Sequence, residues 1–199
     1  ISSAVRNEAL NLKYGVLASA SKGTSDEIQI STDLLKLRFS NKGGVPVRAE
    51  LKDFTTYDSL PLVLFDENSA KLGLEFTYPS LGNFNTSDFY FSTNGSSDKI
   101  TGDATKELIY TLVLDNGRKI ENVYTIKGNT YEIGFKTNFY DVGGVVTSPK
   151  WVWEMSSCQN EKGIELERNN STIFCKEVDQ GRDYLRNTSD DIAEIDDTR

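Results

Sequence analysis

The stretch LIYTLVL, at Leu108–Leu114, is followed by an Asn-Gly pair at 116–117 and by the alternating segment 120–126. Leu108–Leu114 is apolar on both faces of an extended chain, which is typical of a strand covered on each side. The Asn-Gly pair favours a tight hairpin turn because both positions accept a positive φ. A second turn, Gly-Asn at 128–129, leads into a third alternating segment at 131–135. The sequence therefore predicts three consecutive strands in an antiparallel meander.

A second hairpin is predicted nearer the amino terminus. Leu35–Ser40 alternates apolar and polar residues, Asn41–Gly44 supplies a turn with paired glycines, and the alternation resumes over 45–52. In the return strand we expect Val45, Val47, Ala49 and Leu51 to face the core, and Arg48, Glu50 and Lys52 to face water. Further strands are predicted at 72–78, 89–92, 151–155 and 172–176. This pattern indicates one all-β domain of antiparallel strands with little helix.

The patterning divides the chain into three parts. Residues 1–30 are a polar, weakly patterned segment with a short helix predicted over 7–17. Residues 31–178 form the β domain, in which 160–169 is open to either helix or loop, and residues 179–199 are predicted to be a polar tether. No apolar run reaches the ~18–20 residues needed to cross a bilayer, and no signal peptide is visible. We therefore expect a piece of a longer protein.

The charge balance disfavours two classes of partner. The formal net charge is −8 over 199 residues. Nucleic-acid binding depends on clustered Lys and Arg that displace counterions from phosphates, and the sequence contains no such cluster. The same negative charge disfavours docking on an anionic lipid surface. We predict no nucleic-acid partner and interpret the acidity as an aid to solubility.

The absence of histidine excludes most catalytic constellations. Neither a Ser-His-Asp nor a Cys-His nucleophile can be assembled, and a His-bearing metal site is impossible. A carboxylate pair could still perform acid-base chemistry, but Asp and Glu fall mainly at turns and outward-facing positions, which is typical of solvated surface charge. The glycine pairs at 43–44 and 143–144 lack the lysine of a phosphate-binding loop. We predict no enzyme activity, no metal and no cofactor.

Two pairs of residues are candidates for a special role. Trp151 and Trp153 lie two positions apart on one predicted strand, so they share a face and could form a stacking platform for a sugar or a peptide. Filling of the core is the alternative interpretation. Cys158 and Cys175 could form a disulfide in an oxidising compartment or remain two free thiols.

Several segments, in their order and spacing, resemble the periplasmic domain of the YidC/Oxa1/Alb3-type insertases, in the form seen in Bacteroidetes-like members. The resemblance spans about residues 30–190 and depends on the combination, because each segment alone is unremarkable. The matching segments are Asp33–Gly44, Glu50–Asp58, Pro61–Asp66, Tyr124–Tyr131, Trp151, Glu161–Gly163 and Asp183–Leu185.

The resemblance implies an antiparallel β-super-sandwich, galactose-mutarotase-like, with short peripheral helices, in the periplasmic part of a bacterial inner-membrane protein. It implies a non-catalytic role in the insertion and folding of inner-membrane proteins. The implied partners are nascent membrane proteins and Sec translocon components of the SecD/SecF type, with the membrane reached only through transmembrane helices absent from this chain. Because the resemblance continues through Tyr184 and Leu185, we expect these residues to dock the start of the tail on the sheet.

Two other function classes stay open at this point. A carbohydrate- or peptide-binding β-sandwich module would use the Trp151 and Trp153 platform, and saturable glycan binding would favour it. A mutarotase-like enzyme is strongly disfavoured, because that chemistry normally uses a His acid beside a carboxylate base and the chain has no His.

Overall fold

The computed structural model describes residues 3–79, 81–114, 116–156, 159–170, 172–176 and 182–186. The chain forms two compact units, one of residues Ile1–Phe54 and Pro61–Cys158 (the main unit) and one of Thr55–Leu60 and Gln159–Arg199 (the small unit). The helices are α1 (Ser3–Tyr14) and α2 (Ile164–Asn170), with short 3₁₀ turns at Gly15–Leu17 and Thr86–Asp88. The strands are β1 (Glu27–Ser31), β2 (Leu35–Ser40), β3 (Val45–Thr55), β4 (Pro61–Phe65), β5 (Ala70–Tyr78), β6 (Gly82–Asn85), β7 (Ser92–Thr93), β8 (Asp98–Lys99), β9 (Thr105–Val113), β10 (Lys119–Lys127), β11 (Ile133–Tyr140), β12 (Thr147–Met155), β13 (Thr172–Lys176) and β14 (Arg182–Arg186).

The main unit contains three sheets of mostly antiparallel strands. Their strand orders are β4-β3-β2-β1-β8, β11-β10-β9-β7 and β12-β5-β6. Only the short pairing of β1 with β8 is parallel among the described ladders. Among the residues that the structure describes, 51% lie in strands and 14% in helices. The predicted all-β, antiparallel sandwich is therefore confirmed.

The predicted meander is present as β9, β10 and β11, paired in sequence order. Asn116 and Gly117 in its first turn have φ values of 50° and 79°, the left-handed region that the Asn-Gly pair favours. The Leu114 N–H donates to the Arg118 carbonyl at 2.8 Å and closes the turn. The hairpin of β2 and β3 is also present, with a β-bulge that shifts the register beyond Arg38.

The core of the main unit is rich in aromatic side chains. Tyr124 on β10 packs against Phe39 on β2, with ring centroids 4.9 Å apart, and edge-on against Tyr110 on β9 at 6.4 Å. All three rings are at most 2% exposed. Large aromatic side chains bury much apolar surface each, so this cluster contributes strongly to stability.

The paired glycines of the β2–β3 turn serve this core directly. Gly44 has a φ of 64°, and a Cβ built there would lie 2.8 Å from the Phe91 ring. Its carbonyl accepts hydrogen bonds from the Tyr124 hydroxyl at 2.9 Å and from the Asn122 amide at 3.2 Å. The turn therefore needs glycine both for its conformation and for the close approach of Phe91.

The amino-terminal segment contributes more to the core than its polar sequence suggests. Helix α1 begins earlier than the expected 7–17 helix, and its last residue, Tyr14, is 6% exposed. Leu17, at the end of the following 3₁₀ turn, is fully buried. The Tyr14 ring packs edge-on against Phe89 with centroids 5.4 Å apart. These few apolar side chains anchor the segment, although they are too sparse to produce a clear pattern.

Two burial expectations are wrong. Leu108, Tyr110 and Leu112 of β9 are fully buried, but the opposite face is only partly covered and Val113 is 53% exposed. Glu50 was expected to face water, yet it is 9% exposed. It accepts hydrogen bonds from Lys36 and Arg48, which lie on the same face of the sheet, and these two cations make its burial tolerable.

The small unit contains regular structure where the sequence pattern is weak. The segment 160–169, open to helix or loop, forms α2 from Ile164. The Glu167 carboxylate accepts hydrogen bonds from the backbone N–H groups of Asn160 and Glu161, which ties the helix to the preceding loop. Within the predicted 179–199 tether, β14 pairs with β13 as an antiparallel hairpin. Backbone pairing with β13 gives the segment a strand conformation that its side-chain pattern does not predict.

Candidate functional site

One face of the three-stranded sheet carries mostly polar and charged side chains. Leu74, Phe76 and Tyr78 of β5 point into the core, so the residues between them point the other way. In register, Glu75 lies between Lys150 of β12 and Asn85 of β6. The same face carries the neighbouring pairs Thr77 with Asn83, Gly73 with Val152, and Lys71 with Glu154.

This face forms the floor of an open groove, which we call the polar groove. One part has a volume of about 680 Å³ and the other of about 250 Å³, and the two parts share Glu75 and Asn85. The two parts therefore adjoin at these residues. Its first part is lined mainly by Lys13, Glu75, Thr77, Leu81, Asn83, Asn85, Asp88, Ser148 and Lys150. Its second part is lined mainly by Val45, Pro46, Val47, Glu67, Lys71, Leu72, Gly73, Val152 and Glu154.

Two asparagine side chains on β6 are held in place inside the groove. The Asn83 Oδ1 accepts a hydrogen bond from the Thr77 hydroxyl at 2.7 Å. The Asn85 Oδ1 accepts one from the Ser87 backbone N–H at 2.9 Å. Since each amide oxygen is already bonded, each NH₂ group is the part left to donate to a ligand.

Gly73 lies directly against the Asn85 side chain. A Cβ built on Gly73 would lie 2.2 Å from the Asn85 Oδ1, far inside any real contact distance. The glycine therefore makes room for the amide and keeps the middle of the groove open.

The charges along the groove differ between its ends. At one end Lys13 donates to the Tyr14 hydroxyl at 2.7 Å, and that hydroxyl donates to Asp88 at 3.0 Å. The hydrogen bond with Tyr14 and the nearby Asp88 carboxylate raise the pKa of Lys13. At the other end Glu67 is bound by Arg38 at 2.6 Å. Its own backbone N–H and the Arg38 guanidinium lower the pKa of Glu67.

Four charged side chains between these ends have no ion pair. Within the part of the chain that the structure describes, no nitrogen–oxygen distance of 4.0 Å or less joins any of them to an opposite charge. They are Lys71, Glu75, Lys150 and Glu154. Their charges are exposed and therefore accessible to a ligand.

Comparison with known proteins identifies the family. The family model described as the YidC periplasmic domain matches residues 27–162. The chain belongs to this family. The match runs from β1 through β12, so it includes all three sheets of the main unit and every residue named above as lining the polar groove except Lys13.

Membrane protein insertases named YidC are among the similar proteins. That of Parabacteroides distasonis is 29% identical over 96% of this chain and 30% of the relative. That of Chloroherpeton thalassium is 31% identical over 80% of this chain and 28% of the relative. That of Phocaeicola vulgatus is 28% identical over 89% of this chain and 27% of the relative. The chain thus spans about three-tenths of the length of the curated relatives it matches.

The family places this chain on the periplasmic side of a bacterial inner membrane, as the sequence resemblance implied. Among the described helices of this YidC-type domain, none is long and apolar enough to cross a membrane.

Two of the segments that carry the resemblance contain a glycine that the packing of the domain uses. Gly44, in the first of them, accepts the two buried hydrogen bonds of the core. Gly128, in another, packs so closely on Thr101 and Gly102 that a Cβ would lie 2.5 Å from the Thr101 carbonyl carbon.

The two tryptophans share a face of β12, opposite the polar groove, but differ in environment. Trp151 is half-buried, its Nε1 donates to the Thr137 hydroxyl at 3.1 Å, and its ring lies edge-on to Phe135. Trp153 is 54% exposed and lies edge-on to Phe65, with centroids 5.7 Å apart. A ligand platform at these residues stays a prediction, and Trp153 offers most of the accessible ring.

Two sheet edges near the tryptophans are open. Within the described residues, β11 pairs only with β10, and β12 pairs only with β5. Phe135 and Phe139 of β11 point to the core side of the sheet and are still 44% and 39% exposed. An open edge next to exposed aromatic rings is a surface to which another strand can add.

The remaining predicted residues lie at or beyond the limits of the described chain. Cys158 lies outside the described residues, and Cys175 is described only as part of the β13 backbone, so the disulfide stays a prediction. Tyr184 and Leu185 lie in β14, opposite Phe174 and Ile173. Their side chains are outside the described part, so docking of the tail stays a prediction.

The polar groove was missed from the sequence, although a signal for it exists. The sequence predicts a strand over 72–78, and the apolar residues of this segment define the core face. The positions between them, Gly73, Glu75 and Thr77, are small or polar and predict an open face. The contributions of β6 and β12 depend on strand pairing that no local pattern reveals.

Proposed function

We propose that this domain is a non-catalytic interaction scaffold of a membrane protein insertase. It assists the insertion and folding of inner-membrane proteins by binding nascent membrane proteins and Sec translocon components of the SecD/SecF type. The family match across β1–β12 carries the proposal. The lack of histidine in the sequence, the open groove and the open edges of β11 and β12 fit binding better than catalysis.

Site-specific photo-crosslinking in the full-length insertase tests this proposal. A photoreactive amino acid is placed at Asn83 in the groove, at Phe135 on the β11 edge, or at Glu107. Glu107 is the matched control, because it lies on β9 in the same sheet as Phe135 but on the opposite face. We expect crosslinks to a nascent membrane protein or to a SecD/SecF-type protein from Asn83 or Phe135, and few from Glu107. Equal, background crosslinking at all three positions contradicts the proposal.

A carbohydrate-binding module is a second candidate, favoured by the exposed ring of Trp153. Aromatic faces of this kind stack on sugar rings. Oligosaccharides would then change the tryptophan fluorescence of the chain in a saturable way, and Trp153→Ala would abolish the change. A flat titration with a panel of glucans, chitin oligomers and peptidoglycan fragments rejects this candidate.

A further inference from the structure

We propose that the free edge of β11 is the interface of a symmetric dimer, in which the β11 strands of two copies of this chain pair antiparallel. Two four-stranded sheets then form one continuous sheet. The inference goes beyond the proposed function, because the occupant of this edge is a second copy and not a nascent protein or a Sec component.

The backbone of β11 is available for a further strand. In the part of the chain that the structure describes, no backbone hydrogen bond joins Ile133–Tyr140 to any element except β10. Every second residue of an antiparallel strand points its N–H and C=O away from a given neighbour, so half of these groups on β11 face outward. A Cβ built on Gly134 would have its nearest contacts on Thr125 of β10, on the paired side.

The strand also lacks most of the features by which proteins block edge pairing. It contains no proline, its ladder with β10 has no bulge, and its single charge is Lys136. Phe135 and Phe139, on the core side, are 44% and 39% exposed. A regular edge that carries exposed aromatic rings favours the addition of another strand.

The core-side residues of β11 are self-complementary about Thr137. When a two-fold axis passes between the two copies of Thr137, residues equally distant from it in sequence lie opposite each other. Phe135 of each copy is then opposite Phe139 of the other. Such cross-strand aromatic pairs stabilise a sheet, and here they cover the rings that the single chain leaves in water.

The residues of the outer face fit the same register. Lys136 lies opposite Asn138, so no cation has another cation directly across from it. Gly134 lies opposite Tyr140, and a large aromatic ring can cover the exposed backbone of an edge glycine. Opposed residues are an even number apart in sequence, so the outward-facing backbone groups of one copy meet those of the other.

Neighbouring registers lose these pairs. An axis through Lys136 places the two lysines directly opposite each other, which is destabilising. An axis through Asn138 places Phe135 opposite Asp141 and separates the aromatic pairs. An unrelated strand has no reason to supply the complement at each position, whereas β11 supplies it by symmetry. This match selects a second copy as the occupant.

Sedimentation velocity of the 199-residue chain tests whether the dimer forms. We expect the dimer fraction to rise with concentration between about 10 µM and 1 mM, as for an association of modest affinity. A monomer throughout this range overturns the proposal.

Two substitutions of Asn138 should act in opposite directions. Asn138→Glu places a carboxylate opposite Lys136 of the second copy, and Asn138→Lys places a second cation there. Because the two-fold axis repeats each pair, the dimer Kd should fall about 5-fold for the first and rise about 5-fold for the second at low salt. Both effects should shrink as salt rises.

Thr105 provides the matched control for these charge changes. It is an exposed residue of β9, two strands away from the proposed interface. Thr105→Glu and Thr105→Lys should leave the dimer Kd nearly unchanged. If the two Asn138 variants do not differ, or differ no more than the two Thr105 variants, β11 is not the interface.

Disulfide formation tests the register. In chains that carry Cys158→Ser and Cys175→Ser, Lys136→Cys and Asn138→Cys are introduced separately, and the two proteins are mixed in equal amounts and oxidised. The mixed disulfide should form in excess over either self-disulfide, because only directly opposed positions bring their Cβ atoms close enough. Statistical proportions of the three products overturn the proposal.

The full-length insertase separates this inference from the proposed function. A photoreactive amino acid at Phe135 should crosslink to a second insertase copy. A crosslink from Phe135 only to a nascent membrane protein or a SecD/SecF-type protein overturns the inference and supports the proposed function. A crosslink from Phe135 to a second copy, with only background crosslinking from Asn83, supports the inference and contradicts the proposed function.

Discussion

Strands β10 and β11 are neighbours in one sheet and carry similar alternating sequences, yet they differ sharply in burial. On the core side of β10, Ile120 and Tyr124 are 0% and 2% exposed. Their register partners on β11, Phe139 and Phe135, are 39% and 44% exposed on the same side of the sheet. Strand β10 has a partner on each side, whereas β11 ends the sheet. Alternation therefore reports the direction of a side chain, and position in the sheet decides how much of it is covered.

The largest effect is expected when each member of the cross-strand pair Tyr124 and Phe135 is truncated. Tyr124→Ala should lower the free energy of unfolding by about 3–5 kcal/mol, because it opens a cavity among Phe39, Tyr110 and Phe135. Phe135→Ala should cost about 1–2 kcal/mol, because nearly half of that ring is already in water. Urea denaturation of the two variants provides the comparison. Equal losses would show that the edge position is as well packed as the centre.

A second test uses Glu50, whose burial contradicts its outward-facing position in the alternation. Glu50→Gln should cost about 1–2 kcal/mol at neutral pH, because Lys36 and Arg48 lose their carboxylate. The same change on the exposed Glu107 is the control and should cost little.

The pH dependence of the Glu50 contribution has a defined direction. The hydrogen bond from Lys36 lowers the pKa of Glu50 below its ordinary value of 4.5, and Arg48 adds to the effect. Its stabilising contribution is therefore complete above pH 4.5 and is lost as the pH falls through the lower, folded-state pKa. Urea midpoints measured in steps from pH 7 to pH 3 should converge for wild type and Glu50→Gln at the acid end. Parallel curves would show that the pKa of Glu50 is the same in the folded and unfolded states.

A third, smaller test isolates the hydroxyl of Tyr124. Tyr124→Phe should lower the free energy of unfolding by about 1 kcal/mol, because the ring stays in place and only the bond to the Gly44 carbonyl is lost. Asn122 continues to donate to that carbonyl, which limits the loss. A loss as large as that of Tyr124→Ala would mean that the hydroxyl, and not the packing of the ring, provides most of the stabilisation by Tyr124.

The smallest effect is expected at the edge of the neighbouring sheet. Trp153→Ser on β12 should change the free energy of unfolding by less than about 1 kcal/mol, since the ring is 54% exposed and touches Phe65 only by its edge. Thermal unfolding of the chain measures the change. A loss comparable to that of Tyr124→Ala would show that this edge is covered in solution.

The sequence predicts those parts of the fold whose partners are close in the chain. The meander of β9–β11 follows from alternation and from the Asn116–Gly117 turn, and both are local. The burial of Glu50 does not follow from local pattern, because it depends on Lys36 of the paired strand. The strand at Arg182–Arg186 does not follow from its side-chain pattern, because its backbone pairing with β13 creates it.

In the candidate site, too, some features follow from local sequence, but more of them depend on residues that are distant in the chain. The shared face of Trp151 and Trp153 follows from their spacing, but their different exposure depends on Thr137, Phe135 and Phe65, which no local pattern connects to them. The polar groove combines strands from separate parts of the sequence. Its amides and charges become a site only when β5 has paired with β6 on one side and β12 on the other.

The pairing of β5 with β12 also sets an order in time. Thr77 and Thr147, which meet at one end of this ladder, are 70 residues apart. The ribosome therefore completes β5 long before β12 exists, and closing so large a loop is slow compared with forming a local hairpin. Until β12 pairs with it, β5 has one unpaired edge. The floor of the polar groove is therefore complete only after β12 has paired with β5.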